Sequence, residues 1–301
     1  HTSINALTNS TFLDNRFTTT DSAMQPVTLN SVKHLAVTQS KHIGYLFHTS
    51  FCCSTLLARL LDFPKKSIAL KEPLILRRLS DAALDGMPNH ELTDASVKLL
   101  FRNIDGLSSV LVKPTHVALN IAQTLLSCNP SAKALLITST LEDFMISNIK
   151  KTLETQRKVP ELVERFMTAT DLPSRLPPEA FEPPSFLAGV SLQWHAQQQL
   201  IYDLLNSPVG SAVCVIQDTK LLQSPSVTLR AALDWLEWDI QAYDIDEQIK
   251  RVMNLHAKSN GRNYNLQEKT HETNLLRQKY SDELSQALQW SALYLSPYLK
   301  H

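Results

Sequence analysis

The sequence predicts an α/β fold, a sheet of about five parallel strands covered by helices on both faces. Three observations carry that expectation. Short apolar runs recur along the chain, helical patterns separate them, and each run ends in a cluster of polar residues. Short runs that are apolar throughout suit strands buried on both faces, and the helices between them supply the crossovers that parallel strands need.

In chain order the runs are Ile43–Phe47, Ser67–Leu70, Val110–Val112, Ala134–Ile137 and Ala212–Ile216. The first leads into a helix expected over Ser54–Asp62, where Leu56, Leu57, Leu60 and Leu61 share one face. Thr115–Ser127 and Leu141–Lys151 read as helices in the same way. Two longer helical blocks break the alternation. Glu161–Thr170 is followed by the proline-rich Pro173–Pro184 and then by Ser185–Leu205, which contains Trp194 and His195. Thr270–Leu295 carries Leu276, Tyr280, Leu284 and Leu288 at four-residue steps. The expected organisation is a polar N-terminal extension over 1–40 and one α/β domain over 41–301. Within it, 153–206 forms a helical insertion or lid and 252–301 a helical cap.

The strand ends locate a site. They deliver His48-Thr49-Ser50, Lys71-Glu72-Pro73, Lys113-Pro114-Thr115, Thr138-Ser139-Thr140 and Gln217-Asp218 to one rim. In an open parallel sheet, ligands bind outside the carboxyl ends of the strands.

Composition limits what that ligand can be. The chain has 301 residues but only six glycines, against about 20 at average usage, and no two lie within ten residues of each other. Neither G-x-G-x-x-G nor G-x-x-x-x-G-K-[ST] can be written, so any phosphate cradle is built without glycine. Lys+Arg 29 balance Asp+Glu 29, which argues against nucleic acid or a membrane surface as partner. No run approaches the length of a membrane span. The chain opens on histidine, as a trimmed or tagged start would, and segment 1–40 lacks the apolar run of a signal peptide. Cys52, Cys53, Cys128 and Cys214 form no disulfide framework and no metal-ligand spacing, so no metal is expected and a reducing cytoplasm is the default.

The stretch richest in chemistry is Ile43–Asp62. A strand enters a tight loop, and the amides of about Phe51–Thr55 then point over the start of a helix, where an anion is favoured. Ser54 and Thr55 add hydroxyls; the plainer alternative is a strand–helix turn with Ser54 as N-cap. Cys52 and Cys53 fit as small loop fillers, with a thiol nucleophile paired to His48 as the alternative. His116 and His195 read as structural, inside helices.

Here the sequence resembles the sulfotransferase family, which has a P-loop-like fold and transfers sulfuryl groups from 3′-phosphoadenosine 5′-phosphosulfate. Phe51–Leu57 (FCCSTLL) is similar to the family's first loop, with Ser54 and Thr55 on its two hydroxyl positions. Ile137–Lys151 has the shape of the second motif, with Asp143 on its last acidic position and Ser147 on the serine that holds the 3′-phosphate. Cys214–Trp238 repeats a third, with Asp218, Pro225, Trp235 and Leu236 in place. There are departures. Phe51 replaces a basic residue, Cys53 a glycine, and Ser139 the arginine that meets the 3′-phosphate. Compensating cations would come from Lys71, Lys113, Lys150 or Lys151, or from Lys258 and Arg262 in a late segment around Gly261.

The resemblance implies a nucleotide donor, a small-molecule or glycan acceptor, and donor contacts from Phe51, Cys52, Cys53, Ser54, Thr55, Ser139, Ser147, Lys258 and Arg262. Sulfuryl transfer needs a base for the acceptor and donors or cations on the developing charge. Glu72 is the expected base, or else half of a salt bridge with Lys71, Arg77 or Lys113. His48 is a second candidate base, and Lys113 would stabilise the bridging oxygen. Two other readings stand beside this one: a non-catalytic nucleotide- or phosphate-binding module, and a kinase-like phosphotransferase using Asp218 as a magnesium ligand.

Overall fold

A computed structural model describes residues 4–14, 28–35, 37–258 and 266–300, with the backbone alone at 33, 254–258 and 266–269. Five strands form one sheet: β1 His42–His48, β2 Ser67–Lys71, β3 Ser109–Lys113, β4 Lys133–Thr138 and β5 Val213–Gln217. Their order is β2-β3-β1-β4-β5 and every pairing is parallel. This is the three-layer α/β arrangement expected from the alternation of apolar runs and helices.

Alternate residues of each strand feed two cores. Tyr45, Phe47, Val110, Val112 and Leu136 face one layer, which includes the Leu74–Leu84, Val159–Thr168 and Phe186–Leu205 helices. Leu46, Ala69, Leu111, Leu135 and Ile137 face the other, built from Ser54–Leu60, Pro225–Leu236 and Ala242–Lys258. Full burial of one such aliphatic side chain contributes about 1.5–3 kcal/mol. A Cβ at Gly44 would stand 2.8 Å from Leu236 Cδ2, so a side chain there would push the tip of Leu236 aside where β1 meets the second-layer helix.

Several boundaries differ from expectation. Thr115–Ser127 is a 3-10 turn over His116–Ile121 before the α-helix Ala122–Ser127. Asn120 is held there by Ser80, whose Oγ donates to Oδ1 at 2.7 Å. The Thr270–Leu295 block is two helices, Leu266–Lys279 and Ser281–Tyr294, broken at Tyr280. Asp282 and Glu283 occupy the first turn of the second, where carboxylates favour a new start. Two helices lie outside the elements expected from the sequence. Leu74–Leu84 starts behind Pro73, and His90–Leu100 is capped by Asn89, whose side chain accepts from Leu92 N at 2.8 Å. The polar lead-in also docks: Leu13 N donates to Lys71 O at 2.7 Å and Leu74 N to Leu13 O at 3.1 Å. Residues 4–14 therefore lie against the carboxyl end of β2.

Candidate functional site

The loop after β1 turns within five residues into the Ser54–Leu60 helix. Thr49 N donates to Ile137 O at 3.2 Å, tying the loop to β4. Cys52 Sγ lies 2.9 Å from Thr49 O and 3.2 Å from Ile137 O and donates into that pair. Burial pushes its thiol up to about 12, so Cys52 stays protonated and acts as a packed filler, not a nucleophile.

Cys53 has φ 60° and Phe51 φ 61°, both in the left-handed region that favours glycine. The reversal from strand to helix is too short for ordinary backbone, and each L-residue held there costs about 1–2 kcal/mol. Cys53→Gly should therefore raise stability by about 0.5–1 kcal/mol, the relief being partly offset by glycine's greater chain entropy. Urea unfolding checks this; an unchanged or lower midpoint would contradict the strain. Ser54 is the first helical residue, with Cys53 at the cap. Ser54 is buried and Thr55 half-buried.

Beside this loop lies a buried ion pair. Lys113 Nζ stands 2.5 Å from Glu72 Oε1, with Lys113 1% and Glu72 16% exposed. Glu72 also has φ 55°, and its N donates to Lys113 O at 2.6 Å. Lys71 turns elsewhere, to Asp62 at 3.5 Å and Thr8 O at 2.9 Å. Burial outweighs the Lys71–Asp62 attraction, raising Asp62 to about 6 and lowering Lys71.

Both ring nitrogens of His48 meet backbone carbonyls, Nδ1 at 2.8 Å from Thr49 O and Nε2 at 3.0 Å from Pro114 O. Two carbonyls would suit a charged ring. Complete burial and the Lys113 ammonium oppose that, and they prevail, holding His48 well below its ordinary value. His116, expected to be structural within a helix, opens the turn after β3 and sits 6.2 Å from the His48 ring. Its Nε2 is buried without a hydrogen-bond partner among the described residues, and burial pushes the ring down to about 3. Its place two residues beyond Pro114, in the same polar strand end as Lys113, was the signal available in the sequence.

On the β4 side, Thr140 caps the Leu141–Ile149 helix, accepting from Asp143 N at 3.2 Å. Asp143 lies 3.5 Å from Arg277. Ser139 is buried, and its O accepts from Trp194 Nε1 at 3.1 Å. Gln198 Nε2 donates to Thr138 Oγ1 at 3.2 Å, so the Phe186–Leu205 helix closes over the end of β4. Neither contact was legible from the chain order. Ser147 is half-buried in the next turn. Lys150 pairs with Glu272 at 3.0 Å, while Lys151 Nζ sits 4.5 Å from the Phe51 ring. Arg262 and the side chain of Lys258 lie outside the described residues.

The hydroxyls of Thr49, Ser50 and Ser139 are buried with no hydrogen-bond partner among the described residues. They stand at the ends of β1 and β4, neighbours from which the chain's connections run to opposite sides. That is the switch point at which open α/β sheets receive ligands. A buried hydroxyl left unpaired costs about 1–3 kcal/mol, so these three are open to a polar group placed at this rim. Among the described residues, no group of three or more His, Cys, Asp or Glu converges as a metal site. No described helix is long and apolar enough to cross a membrane.

No protein-family model matches the chain, and no curated protein sequence does. Among solved structures, the chain is similar to a sulfotransferase from Alicyclobacillus acidocaldarius. The identity is 16%, over 73% of this chain and 96% of that one, with a TM-score of 0.43. A sulfotransferase domain from the curacin biosynthetic pathway aligns at 14% identity, over 70% and 78%, with a TM-score of 0.43. A sulfotransferase from Mycobacterium avium aligns at 10% identity, over 85% and 79%, with a TM-score of 0.42.

Proposed function

We propose that the rim of β1, β3 and β4 binds 3′-phosphoadenosine 5′-phosphosulfate, and that the chain transfers its sulfuryl group to a hydroxyl or amine of a small-molecule or glycan acceptor. The observation that carries this reading is the set of unpartnered buried hydroxyls, Thr49, Ser50 and Ser139, at the switch point beside the Lys113–Glu72 pair. Oxygen-rich anions fit such a set, because each hydroxyl supplies a donor without adding charge. Ser54, Thr55 and the amides of the Phe51–Thr55 loop would hold the 5′-phosphosulfate, and Ser147 the 3′-phosphate. The donor supplies the sulfur electrophile; the chain's part is to place it and to move one proton. Glu72 takes the acceptor proton as the acceptor atom bonds to sulfur and the sulfur–oxygen bond to the phosphate breaks. Lys113 then stabilises the departing oxygen. His48 has neither ring nitrogen free of a carbonyl, which leaves the base role to Glu72.

A second reading, a nucleotide-binding module without turnover, draws on Phe51 and Ser139, two uncharged residues where the resembling family places cations. One set of measurements separates the two. Calorimetry with adenosine 3′,5′-bisphosphate should show binding that weakens about tenfold in Ser147→Ala, as loss of a hydrogen bond to a charged group implies. Stronger binding of ATP–Mg, indifferent to Ser147, would overturn the donor assignment. Bisphosphate binding with no sulfuryl transfer to a panel of phenol, amine and sugar acceptors would favour the module.

A further inference from the structure

Glu72 follows the edge strand β2 with φ 55°, a left-handed conformation that glutamate does not adopt by its own preference. Such backbone persists where its surroundings over-determine it. Three main-chain hydrogen bonds do so here. Glu72 N donates to Lys113 O at 2.6 Å, and the other two come from one residue 59 positions earlier in the chain. Leu13 N donates to Lys71 O at 2.7 Å, and Leu13 O accepts from Leu74 N at 3.1 Å. Leu13 thus bridges the residue before Glu72 and the second residue after it; Pro73, between them, has no N–H to contribute. The same segment is pinned again one turn earlier. Lys71 Nζ donates at 2.9 Å to Thr8 O, one of the carbonyls left open at the end of the Ile4–Asn9 helix. Ile4, Leu7 and Leu13 pack against the first core. No strand lies beyond β2, and this segment takes up part of its outer edge.

We infer that Leu13 is a positioning residue for Glu72, acting through its main-chain N–H and C=O, and that residues 4–14 are a working part of the site. This rests on the reading that Glu72 is the base. A change of φ at Glu72 swings its whole side chain about the backbone, so the 2.5 Å contact with Lys113 depends on that angle. Lys113 cannot follow, because it belongs to β3 and its side chain is 1% exposed. Released to a negative φ, Glu72 would carry its carboxylate away from the ammonium and from the rim. A base acts only within hydrogen-bond reach of the proton it takes, and a misplacement of about 1 Å can cost about 10²-fold in rate. The two Leu13 bonds close on either side of the one residue whose conformation the chemistry needs. Neither uses the leucine side chain, which makes backbone and side-chain effects separable.

The test uses the full chain and removes the two bonds singly. Leu13→Pro lacks the N–H that meets Lys71 O. Leu74→Pro lacks the N–H that meets Leu13 O, at the first position of the Leu74–Leu84 helix, where proline is tolerated. Leu13→Ala keeps both bonds and loses only side-chain packing. Whichever proline variant melts cooperatively carries the result. It should speed hydrogen exchange at the Glu72 amide by about tenfold or more, against less than about threefold for Leu13→Ala. With 3′-phosphoadenosine 5′-phosphosulfate and the phenol, amine and sugar acceptors, it should lower kcat about 10–100-fold. Affinity for adenosine 3′,5′-bisphosphate should stay within about twofold, and Leu13→Ala should keep most of its kcat. In a Glu72→Gln background the proline should cost less than about twofold more, because no base is left to misplace. A full further loss in that background would mark a merely structural role and overturn the inference. Unchanged exchange at Glu72 would overturn it too, while a defective Glu72→Gln kept the base reading in place. Faster exchange with undiminished kcat would show that the clamp does not position the base. Wild-type transfer by Glu72→Gln, or no transfer by the wild type to any acceptor, would overturn the base reading and the positioning role together.

Discussion

Glu72→Gln is expected to lower the rate of sulfuryl transfer by about 10²–10⁴-fold, the usual contribution of a positioned general base, while nucleotide affinity changes little. The expectation comes from the pair Glu72 makes with Lys113 at 2.5 Å, in which the carboxylate keeps some exposure and the ammonium almost none. Glutamine preserves an acceptor for Lys113 but cannot take a proton. Glu72→Ala is different in kind, because it strands a buried ammonium. Breaking a buried pair from one side costs about 3–5 kcal/mol, so Glu72→Ala should unfold at markedly lower denaturant than Glu72→Gln. Adding Lys113→Met to Glu72→Ala removes the stranded charge and should recover much of that loss. Transfer retained within a few-fold in Glu72→Gln would end the base assignment. Equal stability of the alanine and glutamine variants would show that Lys113 is not dependent on this partner.

This pair also shows how far the sequence could lead. Glu72 and Lys113 were legible as polar residues ending two apolar runs, and a salt bridge between them stood as one of three pairings. The register decides it: β2 and β3 are adjacent with Lys71 opposite Lys113, which brings the next residue, Glu72, to Lys113. Strand order is set by crossover connections and cannot be read from apolar runs, each of which looks the same at an edge or in the centre. The five runs themselves were recoverable because strands buried on both faces must be apolar throughout. The His90–Leu100 helix was not, since its buried face is built largely from Thr93, Ala95 and Ser96, which do not register as an apolar run.

The first loop was legible in position but not in conformation. Propensity argues against left-handed backbone at phenylalanine and cysteine, and both adopt it, at φ 61° and 60°. Local preference yields here to the need to leave β1 and enter a helix at once, with Cys52 anchored on two carbonyls. Such disagreement between local rule and global fold concentrates at functional sites. His116 illustrates the opposite failure. A histidine just past a strand end is legible as a rim residue but not its neighbours, and the fold sets it at the start of a 3-10 turn, 6.2 Å from the His48 ring.

Buried histidines make acid stability the second large effect. His116 and His195 are held neutral by burial, at about 3 and about 4 against an ordinary 6.5. His195 is fixed by Ser191 O at 2.8 Å from Nδ1 and by Ser296 Oγ at 3.3 Å from Nε2. Their folded values are depressed, so the stability they contribute is present above 6.5 and is lost as pH falls toward those values. At about pH 5 each has surrendered about 2 kcal/mol. Asp62 runs the other way. Its folded value is raised from 3.8 to about 6, so its contribution is full below 3.8 and gone above 6. Acidification to about pH 5 returns about 1 kcal/mol of it. The balance is a loss of about 3 kcal/mol between about pH 7.5 and pH 5, to which His48 adds in the same direction. Denaturant unfolding across that range should show the fall. His116→Phe, which keeps a ring in the buried space next to Phe166, should flatten it by about 2 kcal/mol. A flat wild-type profile, or one that His116→Phe leaves as steep as before, would mean that these rings take up protons without unfolding the chain.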